Sequence, residues 1–118
     1  MKAILIDVHK QEVKEVDFDG NHKSIYSLID CNTFDVVGID DKNTLFIDDE
    51  GLLKDDQLYF EYAGDENSVR LGGSALILGY DEEGDSVATT LDVDYVKGKV
   101  AFLPKGFYIE PRMDFIAW

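Results

Sequence analysis

The stretch 48-DDEGLLKDD-56 gathers five carboxylates, Asp48, Asp49, Glu50, Asp55 and Asp56, around two leucines and one lysine. Carboxylates grouped this way can chelate a hard cation, work as an acid–base pair, or present an anionic surface. A calcium loop of the EF-hand type needs D-x-[DN]-x-[DN]-G and a glutamate closing twelve residues. Neither this stretch nor Asp17-Phe18-Asp19-Gly20 keeps that spacing. The expectation is loose attraction of cations and no dedicated metal site. Zinc asks for clustered Cys and His. Cys31, His9 and His22 are the whole supply, and their spacing is not that of a ligand set.

Catalytic chemistry finds little support. A nucleophile built from Cys31 and a histidine would have to be assembled in three dimensions. A single Cys at a helix end ordinarily packs as a small hydrophobe. Acid pairs of glycosidase type arise by chance in a chain with 25 Asp and Glu. Gly72-Gly73-Ser74 lacks the lysine of a phosphate loop, and Leu76 stands where a nucleophile elbow needs glycine. No catalytic residue and no cofactor is assigned. Two alternatives stay open: a small-ligand or nucleotide-binding module using the Gly72-Gly73 amides and the aromatic tail, and an enzyme built around Cys31.

The elements that must position these residues follow from periodicity. Ala3-Ile4-Leu5-Ile6 is an apolar run expected to form a buried strand. After a turn at His9-Lys10-Gln11, Glu15, Asp17 and Asp19 alternate with Val16 and Phe18, which predicts a half-buried strand with one acidic face. Asn21 is the expected N-cap of a short helix over 22–31, with Ile25, Leu28 and Ile29 on one face. Strands follow at Phe34–Gly38 and Leu45–Ile47 around the turn 40-DDKN-43, and at 75-ALILGY-80. The stretch 58-LYFEY-62 fits a strand or one helical turn. Residues 89–96 fit a short helix capped by Thr89 or a period-two strand, and the helix is preferred. The fold expected over 1–118 is one α+β domain, a mostly antiparallel sheet with one or two short helices on one face.

Charge is unevenly distributed. The net charge is −14 with a pI near 4.2. Residues 30–94 hold 18 acids and three bases, so the acidity belongs to the centre of the chain. Such a field repels nucleic acid and anionic membrane and attracts basic proteins. The apolar run at the N-terminus is too short for a signal core or a membrane span, and one cysteine permits no internal disulfide. The chain reads as soluble and cytoplasmic.

The order of short motifs resembles a small uncharacterised acidic protein family of bacteriophages and bacterial mobile elements. The motifs are the opening K-A-I-L-I-D strand, 29-IDCNTFDVV-37, 48-DDEGLLK-54 and 72-GGSALILGYDEEGD-85. The resemblance covers roughly residues 1 to 103 and leaves out the tail from Pro104 to Trp118. It carries no activity or catalytic residue to transfer. It implies an accessory protein that acts by binding host proteins.

The function expected is therefore a non-enzymatic acidic binding protein, an inhibitor of a host nucleic-acid-binding or defence protein through DNA-like charge. Duplex DNA is a dense row of negative charge, and its partners hold Lys/Arg grooves for it. Glu15, Asp17 and Asp19 would form an anionic ladder, extended by Asp40, Asp41, Asp48, Asp49, Glu50, Asp55 and Asp56. Tyr59 and Tyr62 would add an aromatic rim. The partner would be a basic protein surface; direct nucleic-acid binding and membrane binding are not expected.

Overall fold

Apolar runs without alternation mark strands covered on both faces. Two such runs form the centre of this protein, whose computed structural model describes residues 1–50, 57–64 and 68–104. They are β1 (Lys2–Asp7) and β7 (Ala75–Tyr80), paired antiparallel through Ile4–Ile6 and Ala75–Ile77. Around them stand β2 (Glu12–Asp17), β4 (Asn43–Asp48) and β3 (Phe34–Gly38), in the order β2-β1-β7-β4-β3, all antiparallel. A two-residue strand, β8 (Ser86–Val87), adds to β7 beyond the 81–85 turn.

The two faces of this sheet bury different partners. Ala3, Leu5, Phe46, Leu76 and Leu78 pack with Phe18 and with Ile25, Ile29 and Cys31 from α1 (Lys23–Leu28) and the residues after it. On the other face, Ile4, Ile6, Val13, Leu45 and Ile77 pack against Phe60, Tyr62 and Val96. Phe60 and Tyr62 belong to a second sheet of order β6-β5-β9, made by β5 (Tyr59–Ala63), β6 (Ser68–Gly72) and β9 (Val100–Phe102). Val96 comes from α2 (Val93–Lys99), which enters β9 directly.

The α+β class and the antiparallel sheet stand, but the layering differs from expectation. The helices lie on opposite faces of the main sheet, and a second sheet shares the α2 side. β6, 68-SVRLG-72, alternates Val69 and Leu71 with Ser68 and Arg70, a short period-two signal missing from the expected strands, whereas the three residues of β9 are too few to show a period. They become strands by pairing with the two edges of β5, which also decides the ambiguous 58–62 stretch.

The helix starts shift as well. His22 is the N-cap of α1, while the Asn21 side-chain oxygen accepts the Lys23 N–H at 3.0 Å. At α2 the cap is Asp92, in extended conformation, and Thr89 is not the cap. The Thr89 hydroxyl donates instead to Asn43 Oδ1 at 2.6 Å. Gly79 is required where β7 and β8 meet, because a Cβ there would lie 2.5 Å from the Ala88 carbonyl oxygen. Among the described residues no helix is long and apolar enough to cross a membrane.

Candidate binding surface

Strand direction decides which acidic loops are neighbours. Antiparallel β4 and β7 bring the 40–42 turn beside the 81–85 turn, where the Tyr80 N–H donates to the Lys42 carbonyl at 2.9 Å and its hydroxyl to the Asp40 carbonyl at 3.2 Å. The start of β1 lies at this end too, since the Thr89 N–H donates to the Lys2 carbonyl at 2.9 Å. Asp17 pairs with Lys2 in the register and belongs to the same end. Asp48, Asp49 and Glu50 leave the far end of β4, beside the Gly72–Ser74 turn. The two ends are separated by a strand of six residues, about 17 Å. The expected single acidic face is therefore two separate groups.

The ladder on β2 is met in part by positive charge, with Lys2 shared between Glu15 and Asp92, the latter at 3.5 Å. Glu15 and Asp17 share a face, but Glu15 lies 4.0 Å from the Lys2 ammonium and Asp17 lies 2.9 Å from the N-terminal ammonium. Asp19 has left the strand. Its carboxylate accepts the Ser24 hydroxyl at 2.6 Å and the Asn21 N–H at 2.8 Å, tying down the start of α1. These hydrogen bonds, that of Ser24 first, hold the Asp19 pKa below the usual aspartate value. Ionised Asp19 thus contributes stability that is complete above the unfolded pKa and is lost as pH falls through the lower folded one. Asp19→Asn is expected to flatten the part of the acid-unfolding curve just below the ordinary aspartate range, read by circular dichroism from pH 6 to 2. An unchanged curve would remove Asp19 from the acid limb.

Several expected surface residues serve the fold instead. Asp48 is only 5% exposed, and its carboxylate accepts the Glu50 N–H at 2.9 Å, shaping the turn out of β4. Tyr59 and Tyr62 are each 3% exposed, so they form no rim. They lie on the middle strand of the second sheet, where β6 and β9 flank them. Asp40 is half-buried and accepts the backbone N–H groups of Lys42 and Asn43, both at 2.7 Å. Asp41, Asp49 and Glu50 are exposed, and Asp49 accepts the Thr33 hydroxyl at 3.2 Å. Asp55 and Asp56, and the aromatic tail with Tyr108 and Trp118, lie outside the described residues.

The other chemistries fare as follows. Gly73 has φ +89°, which favours glycine, but its N–H donates to the Leu58 carbonyl at 2.9 Å and is not available to cradle a phosphate. The adjoining Ser74 hydroxyl oxygen is buried and accepts the Val8 N–H at 3.2 Å. Cys31 is buried in the cluster under α1. Among the described residues no group of three or more His, Cys, Asp or Glu could hold a metal ion.

The expected binding face left out the acids of the 81–85 turn. Asp81, Glu82, Glu83 and Asp85 are all exposed. Their signal was the 81-DEEGD-85 run itself, which echoes the 48–56 stretch. The exposed apolar residues Tyr26, Val36 and Tyr95 were also missed as surface features. Tyr26 is legible as the residue lying off the Ile25, Leu28, Ile29 stripe of α1.

Comparison with curated proteins and with solved structures found no match. Comparison with protein families found one that spans the β1–β2 hairpin, both helices and nearly all of both sheets, described as a domain of unknown function, DUF3846, over residues 1–101. With that much of its length matched, the chain belongs to the DUF3846 family.

Proposed function

We propose that this protein is a non-enzymatic binding protein whose acidic end engages a basic surface on a partner protein. The observation that carries the reading is the placement of two turns side by side. The turns at 40–42 and 81–85 hold Asp40, Asp41, Asp81, Glu82, Glu83 and Asp85 against one base, Lys42. All but Asp40 are exposed among the acids. Five exposed carboxylates on adjoining rigid turns focus a negative field that steers a basic partner into place. In the proposed setting the protein comes from a bacteriophage or mobile element and inhibits a host nucleic-acid-binding or defence protein. Its carboxylates take the places of phosphates on the partner's Lys/Arg groove.

The test uses a partner captured from host lysate at low salt and then purified. Asp41→Asn, Glu82→Gln and Glu83→Gln together are expected to weaken its binding at least tenfold, mainly through the association rate. The loss should shrink as salt rises, since screening acts over about 8 Å at physiological ionic strength. Asp49→Asn with Glu50→Gln, at the opposite end, should change binding less than twofold. Equal effects from both sets would show that net charge alone is read and that the paired turns are not the site.

A further inference from the structure

The two outer strands of the main sheet are guarded very differently. β2, 12-EVKEVD-17, carries Glu12, Lys14, Glu15 and Asp17, a charge-lined edge of the kind that resists pairing. β3, 34-FDVVG-38, carries only Asp35. The Ile39 N–H donates to the Asn43 carbonyl and the Asp49 N–H to the Thr33 carbonyl, so odd-numbered residues of this strand face β4. The backbone groups of Phe34, Val36 and Gly38 therefore point away from the sheet. Among the described residues their one partner is the Asp35 carboxylate, which accepts the Val36 N–H at 2.8 Å.

An apolar shelf lies alongside this edge. Val36 is 51% exposed, and Tyr26 packs on Phe34 with the rings tilted at 44° and their centroids 5.2 Å apart, while Phe34 meets Phe46 at 5.3 Å. A Cβ added to Gly38 would meet open space. The charge along this edge is mostly negative: residues 24–41 contain Asp30, Asp35, Asp40 and Asp41, with Lys23 and Lys42 just outside that span.

We propose that β3 is a docking edge for an extended basic segment of a partner protein, which adds to the main sheet as a further strand. This rests on the binding reading above and names how the partner is held. Main-chain hydrogen bonds to Phe34, Val36 and Gly38 supply the pairing, and alternate side chains supply the selection. Apolar residues of the segment lie over Val36 and Tyr26. Lysine or arginine meets the Asp35 carboxylate, which gives up the Val36 N–H to the incoming strand. A second copy of this chain is disfavoured as occupant, because each brings a net charge of −14 and another Asp35 to the same edge.

The probe is a nine-residue peptide of alternating valine and lysine, compared with the same peptide methylated at every backbone nitrogen. Binding is followed by amide chemical shifts and hydrogen exchange on the full chain. The unmethylated peptide is expected to bind at least tenfold more tightly and to protect the amides of Phe34, Val36 and Gly38. Val36→Lys, which leaves the backbone intact but removes the apolar contact and repels lysine, should weaken binding of the unmethylated peptide at least tenfold, and Val36→Pro should erase its preference over the methylated peptide by removing the donor. If both peptides bind equally and shift residues 41 and 81–85, strand addition is overturned while the acidic-end reading stands. If strand addition survives but neutralising Asp41, Glu82 and Glu83 leaves the purified partner's binding unchanged, the reverse holds. Binding of neither peptide, or protection of β3 by self-association without peptide, would also overturn the proposal.

Discussion

Phe60→Ala is expected to destabilise the protein by about 3–5 kcal/mol, the usual cost of deleting a fully buried phenylalanine and leaving a cavity. Phe60 has no exposed surface and lies on β5, the middle strand of the second sheet. It belongs to the cluster that contains Ile4, Ile6, Leu45 and Ile77 from the main sheet and Val96 from α2. The ring is therefore part of the core that joins the two sheets and α2. Domains of this kind have total stabilities of about 5–15 kcal/mol, so the loss is a large share. The melting temperature should fall on the order of 15 °C, measured by circular dichroism. Val36→Ala, on the exposed edge, is the control and should change stability by less than about 0.5 kcal/mol. A loss below 1 kcal/mol for Phe60→Ala would mean that the second sheet is not held to the first through this ring.

Asn43→Ala should cost about 3 kcal/mol, because it strips partners from several buried or half-buried polar groups at once. The Asn43 amide nitrogen donates to both Asp40 oxygens at 3.1 Å and to the Thr90 hydroxyl oxygen at 2.9 Å. Its oxygen accepts the Thr89 hydroxyl at 2.6 Å and the Thr90 N–H at 3.2 Å. The side chain is fully buried and ties the 40–42 turn to the segment that follows β8. Amide exchange should accelerate at residues 41–43 and 89–91, and partner binding at low salt should weaken because the two acidic turns lose their fixed spacing. Asn43→Asp should be worse than alanine: it removes both donors and sets a carboxylate against that of Asp40. A stable Asn43→Asp protein would refute the network.

The contrast between β1 and β5 shows how far the sequence reaches. Ala3–Ile6 and Ala75–Leu78 are apolar without interruption, and they occupy the centre of the main sheet because only a position covered on both faces leaves no residue to solvent. The β1–β2 hairpin and the turn 40-DDKN-43 were equally legible, from a change of period at one and from turn-forming side chains at the other. Tyr59 and Tyr62, with acids on either side in the sequence, looked like a wet rim. Both are buried, Tyr62 in the cluster shared with the main sheet, and that burial comes from the packing of one sheet on the other, which their sequence neighbours do not report.

Composition determined that the protein is acidic, and the order and period of its residues that the acidity is central and that its elements are mostly strands with short helices. Whether two acidic runs act together was decided by tertiary structure, because proximity in a sheet depends on strand direction and register. Asp41 and Glu82 lie forty-one residues apart in sequence and share an end, whereas Asp41 and Asp49 close opposite ends of one strand. Charge compensation is likewise a matter of distance: Glu15, Asp17 and Asp19 alternate as an exposed ladder would, but Lys2 and the N-terminal ammonium lie within 4.0 Å of Glu15 and Asp17, while the Ser24 hydroxyl hydrogen-bonds Asp19. Period reports which face a residue takes on its own strand; which charges stand opposite it depends on the pairing of that strand with another.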